Sequence, residues 1–383
     1  AARERLDRAR LGLRARERNV LLVCHSRGGG AERHLREETR RLQESGHGVF
    51  FLRPVRGDGA LARLCDHTNM ALPNLGDFVL AEAQGLAELL RALGIGRIQV
   101  HGTIDFEVEA PAHIARLAGL AGAALEVMLH DYQAICPRIN LADDRGRYCG
   151  EPDEKGCDAC LASNGNRYGL TSIRAWRAPQ ARLIEAADRL VVPNADVSER
   201  LERYFPGRGI EVVPHEPVPT APLPLQRPLI DASEPLHVVV IGAIGKVKGF
   251  DVLLGCAREA RTRSLLLRFS VLGYSMYDRR LAEAGVSVTG RYLEAEGPAR
   301  LAVLKPHLVW LPSLWPETYS YTLSMALDAA LPVFAFDLGA IARRLRESGA
   351  GAQLMPIDLQ DDAAAVLDRF IRFRSTCLAS EAA

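Results

Sequence analysis

The chain has 383 residues, of which 48% are hydrophobic and 25% are charged, and its formal net charge at pH 7 is +1. This length exceeds the size at which one hydrophobic core usually stops growing, so we expect two domains of roughly 180 residues. The near-neutral charge gives no support for nucleic-acid binding, because proteins that bind nucleic acid usually carry a strong basic excess. No apolar run approaches the roughly 18 residues that a membrane-spanning helix needs.

Residues 1–18 contain seven Arg and three acidic residues, with sparse leucines between them. This pattern predicts a basic leader helix. A solvated helix or linker is the main interpretation, and a weak contact with the anionic inner membrane is the alternative. The chain begins with Ala1 rather than Met, which is compatible with a place in a larger multidomain chain.

Short apolar runs alternate with helical patterns over residues 19–215, which indicates an α/β domain with a doubly wound parallel sheet. We predict strands over 19–24, 48–52, 98–101, 125–129, 189–192 and 211–213, and helices over 31–45 and 82–93. Six prolines and almost no periodicity then mark residues 216–235 as an interdomain linker.

The alternation restarts at residue 236 and predicts a second α/β domain over 236–357. Its predicted strands are 236–242, 267–272, 286–289, 308–311 and 333–336, and one predicted helix spans 321–329. The remaining segment, 358–383, holds a periodic helix over 361–373 that we expect to pack back across the domain seam. Because one fold serves many functions, function has to be argued from the motifs.

A loop from Gly242 to Gly249 lies between a predicted strand and a predicted helix of the second domain. Free backbone N–H groups and the helix dipole favour an anion at such a place. Lys246 and Lys248 add positive charge where a departing diphosphate would gather negative charge. A surface turn with solvated lysines is the alternative interpretation.

The lone acid Glu317 follows the strand predicted over 308–311 and precedes a helix. Ligands of parallel sheets bind at the carboxyl ends of the strands, where this carboxylate could accept hydrogen bonds from sugar hydroxyls. The N–H groups of Tyr319, Ser320 and Tyr321 open the helix and could hold sugar or phosphate. An exposed loop acid without function is the alternative.

Both motifs resemble the donor site of family-4 glycosyltransferases. That signature is a Gly-Arg-Leu-x-x-x-Lys-Gly loop, followed later by two Glu that are separated by seven residues. Lys248 and Gly249 fall on the loop's Lys and Gly, and Glu317 falls on the first Glu. The sequence departs from the pattern at Ala243, in place of Arg, and at Met325, in place of the second Glu, which in the family holds the nucleotide ribose. The resemblance covers nearly the whole chain and is looser in the first domain.

The resemblance implies the GT-B architecture, in which two Rossmann-like domains face each other across a cleft and the C-terminal one binds the donor. It also implies that a sugar moves from a nucleotide-diphosphate sugar to a glycan or lipid-linked acceptor, with retention of anomeric configuration and without a catalytic metal. We therefore expect a cytoplasmic enzyme of bacterial polysaccharide synthesis, with peripheral contact at the inner membrane as an open alternative.

The same resemblance assigns residues to roles. The catalytic set is His130, Glu317 and Lys248. The donor-binding set is Gly245, Lys246, Gly249, Arg291, Tyr319, Ser320 and Tyr321. Arg291 lies where the family's base-binding loop falls, and Lys246 could compensate for the missing Arg at position 243.

The acceptor side is expected in the first domain. Gly29 and Gly30 resemble the family's glycine-rich loop, which lets a ligand approach the backbone closely. His34 lies on the next helix and could face the ligand or solvent. His130 matches a family histidine at the reaction centre, where an imidazole can hydrogen-bond the sugar, and Asp131 could assist acceptor deprotonation. A tight turn and a histidine that caps a strand are the alternatives.

Four of the eight cysteines lie in a Gly-, Asp- and Arg-rich insertion over 136–160: Cys136, Cys149, Cys157 and Cys160. Four thiolates that end in a Cys-x-x-Cys pair suit tetrahedral zinc, which would order the loop without taking part in catalysis. Reduced or redox-labile thiols are one alternative, and disulfides are another.

Two further functions remain open from the residues. A degenerate transferase-like module that binds glycans or assists assembly is favoured by Met325 and Ala243 and opposed by Glu317 and Lys248. A nucleotide-sugar epimerase on the same architecture should carry further acids in its cleft.

Overall fold

The computed structural model describes residues 19–25, 27–217 and 226–378. The leader helix predicted over 1–18 lies outside these residues, as does the middle of the predicted linker, 218–225. None of the described helices is both long and apolar enough to cross a membrane.

The chain divides into two compact units. Unit 1 consists of the chain up to Ile139 together with Glu151–Glu216, and unit 2 consists of Asn140–Gly150 and the chain from Pro217 onward. The insertion predicted over 136–160 is therefore shared between the units, because its middle part belongs to unit 2.

Unit 1 contains a sheet of eight strands among the described residues. They are β1 (Asn19–Val23), β2 (Val49–Val55), β3 (Asp58–Cys65), β4 (Phe78–Val79), β5 (Ile95–Val100), β6 (Ala124–Met128), β7 (Arg189–Val192) and β8 (Ile210–Val212). Their order in the sheet is β4-β3-β2-β1-β5-β6-β7-β8. Pairing is antiparallel between β2, β3 and β4 and parallel elsewhere. The central strand β1 is buried at every position, as expected of a parallel strand that is covered on both faces.

The helices of unit 1 connect these strands. They are α1 (Gly30–Glu44), α2 (Ala83–Ala92), α3 (Ala110–Ala121), α4 (Glu154–Asn164), α5 (Ile173–Ala186) and α6 (Ala195–Glu202). On α1 the buried positions include Leu35, Thr39 and Leu42, spaced four and three residues apart, which forms the apolar stripe that packs on the sheet.

Unit 2 contains a sheet of six described strands, all paired in parallel. They are β9 (Leu236–Ile244), β10 (Leu267–Ser275), β11 (Ser287–Val288), β12 (Leu308–Leu311), β13 (Val333–Phe336) and β14 (Leu354–Met355). Their order is β11-β10-β9-β12-β13-β14, so the first strand along the chain lies at the centre and the chain winds outward on both sides. This is the strand order of the Rossmann fold.

Helices of unit 2 cover both faces of this sheet. They are α7 (Phe250–Thr262), α8 (Asp278–Glu283), α9 (Gly297–Leu304), α10 (Tyr321–Asp328), α11 (Gly339–Glu347) and α12 (Ala363–Cys377). On α12, the ring of Phe370 makes edge contacts with Trp310 at 5.2 Å and with Phe334 at 5.3 Å between centroids. These edge-to-face contacts are favourable, so the C-terminal helix forms part of the core of unit 2.

The structure confirms the two parallel α/β halves that the sequence predicts, and β7, β12 and β13 have the predicted bounds. The antiparallel strands β3 and β4 were not predicted. Strand β3 is half-exposed and carries Arg63 on its solvent side, and it is joined to β2 by a turn in which Gly57 has φ 88°. Its apolar pattern is therefore weaker than that of the buried parallel strands.

Candidate functional site

The site in unit 2 follows from the strand order. Strands β9 and β12 are neighbours, and the chain winds away from them in opposite directions. The crevice beyond the carboxyl ends of such a strand pair is where open α/β sheets bind ligands. The loop after β9 holds Gly245, Lys246 and Lys248, and the loop after β12 holds Glu317. The topology thus brings the two predicted donor motifs to one place.

Gly249 lets these two loops pack closely together, because a glycine has no Cβ atom. It has φ 79° and ψ 28°, and it caps the N-terminus of α7. A Cβ at this position would lie 2.1 Å from the carbonyl oxygen of Pro312. A second contact holds the loops together, since the N–H of Leu314 donates to the carbonyl of Val247 at 2.8 Å. Only glycine satisfies both the left-handed backbone and the close approach.

Lys248 and Glu317 form the charged centre of the site. The Lys248 Nζ lies 3.5 Å from the Glu317 Oε1, and the side chain of Glu317 is 7% exposed while that of Lys248 is 37% exposed. The Glu317 carbonyl accepts the N–H of Ala340 at 2.9 Å. Gly339, with φ 65°, allows this contact, because a Cβ there would lie 2.5 Å from the Cα of Pro316. A partly exposed ammonium therefore lies 3.5 Å from a nearly buried carboxylate, on a backbone that the Ala340 N–H and Gly339 hold in place.

The N-terminus of α10 is held by Ser320 and by Arg344, and the sequence did not predict the role of Arg344. The Ser320 hydroxyl caps the helix by accepting the N–H of Leu323 at 3.2 Å. Arg344 donates to the Ser320 carbonyl and to the Ser324 hydroxyl, each at 2.8 Å. Its guanidinium lies 4.4 Å from the ring centroid of Tyr319, a cation–π distance. Arg344 lies on α11, and its sequence neighbours give no signal of this role.

The aromatic pair at the same helix end is formed by Tyr319 and Tyr321. Their rings are 5.2 Å apart in an edge-on arrangement. Together with Ser320 they lie at the start of α10, where the sequence predicts contacts to sugar or phosphate.

The remaining predicted donor residues have other contacts. The Gly245 carbonyl accepts the N–H groups of Lys248 at 3.1 Å and Phe250 at 3.2 Å, so it shapes the loop. The Lys246 Nζ donates to the carbonyl of Asp144 at 2.9 Å. The Arg291 guanidinium lies 4.0 Å from the ring centroid of Tyr274.

Met325, at the position of the family's second Glu, packs in an apolar environment. It lies beside Tyr292 on the edge of the core of unit 2. A Cβ added to Gly297 would lie 2.6 Å from its terminal methyl carbon. The structure therefore uses position 325 for packing between α10 and the start of α9.

The corresponding place in unit 1 lies beyond β1 and β5, which are neighbours from which the chain winds in opposite directions. Gly29, with φ 82°, precedes α1, and Gly30 is the first residue of that helix. The loop after β1 begins with Cys24 and His25, and His101 follows β5 directly. Histidines, rather than charged residues, therefore lie at the ends of these two strands.

His34, His101 and His130 come together at this end of the sheet. Each offers a ring nitrogen, and the three nitrogens lie within 4.8 Å of one another. The Nδ1 of His101 is 2.9 Å from the Nε2 of His130. The ring of His215 lies 4.0 Å from that of His34 and 5.1 Å from that of His130, between centroids. His34 and His130 were predicted site residues, whereas His101 and His215 were not.

Burial keeps this cluster uncharged. Desolvation lowers the pKa of His101 to about 3, and it lowers the pKa of His130 well below the ordinary value. The pKa of His34 is also lowered, again mainly by burial. These imidazoles are therefore neutral near pH 7, so each has one donor and one acceptor nitrogen.

Asp131 lies beside His130 and is partly buried. Burial raises the pKa of its carboxyl group to about 6, and the backbone N–H of Gln133, which donates to it at 2.7 Å, opposes the shift. A carboxyl group with a pKa near neutrality can exchange a proton under physiological conditions.

The predicted zinc ligands belong to different parts of the fold. Cys157 and Cys160 lie on α4 at a spacing of three residues, which places them on one helix face. The Cys157 thiol is 3.7 Å from the Arg177 guanidinium, and burial raises its pKa. Cys136 also belongs to unit 1, whereas Cys149 lies in the segment that belongs to unit 2. Zinc binding by these four residues stays a prediction.

Comparisons with known proteins agree on the fold. No protein-family model matches the sequence, and no curated protein matches it significantly. Among solved structures, the pneumococcal O-GlcNAc transferase GtfA in complex with UDP and GlcNAc is 12% identical, with a TM-score of 0.58, over 93% of this chain and 92% of GtfA. The lipopolysaccharide outer core galactosyltransferase WaaB is 13% identical, with a TM-score of 0.55, over 93% of this chain and 91% of WaaB. HepE from Anabaena in complex with UDP-glucose is 14% identical, with a TM-score of 0.51, over 94% of this chain and 91% of HepE.

These likenesses extend over nearly the full length of both partners in each pair. The chain has the GT-B fold of glycosyltransferases, as the sequence predicted. At identities of 12–14% the match describes the fold, and the function is argued from the residues.

Proposed function

We propose that this protein is a glycosyltransferase that moves a sugar from a nucleotide-diphosphate sugar to a glycan or lipid-linked acceptor. The observation that carries the proposal is the pair of Lys248 and Glu317, whose Nζ and Oε1 lie 3.5 Å apart at the carboxyl ends of β9 and β12. An anion-binding group and a hydroxyl-binding group at this distance match the two halves of a nucleotide-sugar donor.

In this proposal Lys248 and the N-terminus of α7 hold the diphosphate. As the bond between the sugar C1 and the phosphate oxygen breaks, negative charge grows on the departing diphosphate, and a fixed cation stabilises it. Glu317 accepts hydrogen bonds from sugar hydroxyls and so orients the sugar. The acceptor oxygen bonds to C1, and its proton passes to the departing phosphate.

Unit 1 supplies the acceptor side of the proposal. His130 is neutral and its Nε2 pairs with the Nδ1 of His101 at 2.9 Å, so in this proposal the ring makes one hydrogen bond to a sugar hydroxyl through its other nitrogen. Retention of anomeric configuration and a role in bacterial polysaccharide synthesis are the finer parts of the proposal, and they come from the resemblance to family-4 enzymes. NMR of the first-formed product would test retention, and an inverted linkage would contradict that part alone.

The first experiment measures donor binding by calorimetry against UDP, GDP, dTDP, CMP and their sugars. UDP comes first, because the similar structures are GtfA in complex with UDP and GlcNAc and HepE in complex with UDP-glucose. We expect one nucleotide to bind selectively. Lys248→Ala should weaken that binding by about 10- to 100-fold, since a hydrogen bond to a charged group contributes about 1.5–3 kcal/mol.

Lys155→Ala is the matched control. This lysine is exposed on α4 in the other unit, so its removal should leave the affinity unchanged. Absence of binding to the wild-type protein at millimolar nucleotide would overturn the transferase proposal.

A second candidate is a transferase-like module that binds glycans without catalysis. The packing of Met325 against Gly297 and Tyr292 favours it, because this position offers no carboxylate for a ribose. Lys246, engaged by the Asp144 carbonyl, is also not free to replace the Arg that is missing at position 243.

Met325→Glu distinguishes the two candidates. If the native donor site has decayed, the added carboxylate should strengthen donor binding by about tenfold or more. If the native site works without that contact, the substitution should only disturb the packing at α9 and leave donor affinity equal or weaker.

A further inference from the structure

The histidine cluster of unit 1 has the composition and spacing of a metal site. His34 comes from α1, His101 from the end of β5 and His130 from the end of β6, so three separate elements supply one ring each. Their ring nitrogens lie within 4.8 Å of one another. In a tetrahedral zinc site with Zn–N distances of about 2.0–2.1 Å, neighbouring ligand nitrogens are about 3.3 Å apart. The 2.9 Å contact between His101 and His130 is already close to that separation.

The ligand set indicates the class of cation. Imidazole nitrogens suit zinc, copper, nickel and iron, whereas calcium and magnesium require oxygen ligands. Three histidines leave a fourth position on the ion, and the ring of His215 lies beside His34 and His130 at that end of the cluster.

We propose that unit 1 binds one divalent d-block cation of the zinc type through His34, His101 and His130. The ion ties the start of α1 to the ends of β5 and β6. It is distinct from the zinc predicted at the cysteines. It shares His34 and His130 with the proposed acceptor side, and it can be tested without transferase activity.

The test is titration of the full chain with Co²⁺, which replaces zinc and gives visible absorption bands in a tetrahedral site. We expect one equivalent to bind with nitrogen-type bands. His34→Gln should weaken this binding by at least about 100-fold, because even the loss of an outer-shell partner costs 10- to 100-fold. The exposed His67 provides the matched control, and His67→Gln should bind as the wild type does.

A double variant, Cys157→Ser with Cys160→Ser, separates this site from the cysteines. The proposal expects the bands to persist in the double variant and to lack a thiolate-to-metal charge-transfer band. Bands that are lost with the cysteines and kept in His34→Gln would overturn it, as would the absence of binding to the wild type.

Thermal unfolding shows whether a loss of metal binding in the variant comes from a folding defect. His34→Gln without metal should unfold like the wild type, and zinc should raise the melting temperature of the wild type only. An equal rise in both proteins would also overturn the proposal.

Discussion

The candidate sites of the two units lie at the same topological position. One is built around a pair of charged side chains and the other mainly from neutral imidazoles. In unit 2 the crevice beyond β9 and β12 holds a full positive and a full negative charge, Lys248 and Glu317, on loops that glycines lock together. In unit 1 the crevice beyond β1 and β5 holds neutral imidazoles, of which His101 is almost completely buried. The fold sets where each site lies, and the residues set what it can bind.

This difference assigns the two places to different ligands. A fixed ammonium and the free N–H groups of a helix N-terminus favour a diphosphate. Neutral rings that each offer one donor and one acceptor favour hydroxyls, or a cation that imidazole can ligate. The contrast holds only if the loops of unit 2 are rigid, if the charge of Glu317 matters, and if charges near the unit 1 site act on stability rather than on ligands.

The largest expected effect tests the rigidity of the unit 2 loops. Gly249→Ala should lower the free energy of unfolding by about 3 kcal/mol or more, because the new Cβ combines an unfavourable left-handed backbone with an overlap at the Pro312 carbonyl. Urea denaturation measures the change. A variant as stable as the wild type would show that the two loops are not locked together.

The control lies on the same helix. A Cβ on Gly255 would meet only the Cβ of Ala363, at 3.9 Å, and Gly255 lies inside α7. Gly255→Ala should therefore change stability by no more than about 1 kcal/mol, in the stabilising direction that helix propensity predicts.

The next effect concerns the charge at position 317. Glu317→Gln keeps the shape of the side chain but removes its charge, so the charge-assisted hydrogen bonds to the donor sugar are weakened. We expect kcat/KM for transfer to fall by about 10- to 100-fold, which corresponds to the 1.5–3 kcal/mol of a hydrogen bond to a charged group. Steady-state kinetics with the nucleotide sugar that binds best measures it.

Glu347→Gln is the matched control, because Glu347 is exposed on α11 and pairs with Arg343 one turn away. Its kinetics should equal those of the wild type. A Glu317→Gln variant with unchanged kcat/KM would remove Glu317 from the proposed mechanism.

The unit 2 site could be predicted from the sequence because its signals are local. Lys248 and Glu317 each follow an apolar strand and precede a helix, and the parallel order of the strands then brings them together. Arg344 could not be predicted, because its contacts to Ser320 and Ser324 depend on how α11 packs beside α10. The packing of Met325 against Gly297 depends equally on tertiary structure.

The unit 1 site was predicted only in part. His130 was selected by resemblance and by its place after a predicted strand, and His34 by its place on the helix after the glycine-rich loop. His101, which follows β5 directly, was missed. A rule that a polar residue directly after a parallel strand lies at the ligand edge of the sheet would have found His101, but not His215, which is separated from β8 by Val213 and Pro214. What no sequence pattern predicts is that burial keeps these rings neutral.

Besides the carboxyl group of Asp131, the charge near the unit 1 site includes a carboxylate that is paired on the surface. Asp105 lies four residues after His101, and Arg27 forms a fork with its two carboxylate oxygens at 2.5 and 2.7 Å. Arg167 pairs with the same carboxylate. The hydrogen bonds from Arg27 and then Arg167 lower the pKa of Asp105 to about 2. The side chain of Asp105 is 29% exposed, so solvent screens part of this interaction.

The smallest expected effect is therefore on stability and its pH dependence. Asp105→Asn should lower the free energy of unfolding at pH 7 by about 1 kcal/mol, after allowance for screening. Because the pKa of Asp105 is lowered in the folded state, its contribution is present above about pH 4 and is lost as the pH falls towards 2. Urea denaturation between pH 7 and pH 3 should show wild type and variant converging at low pH. Glu211→Gln, which removes a half-exposed carboxylate that pairs with Arg189, should cost less. A difference that stays constant with pH would mean that Asp105 acts through packing, and charge would then have no part in fixing this edge of unit 1.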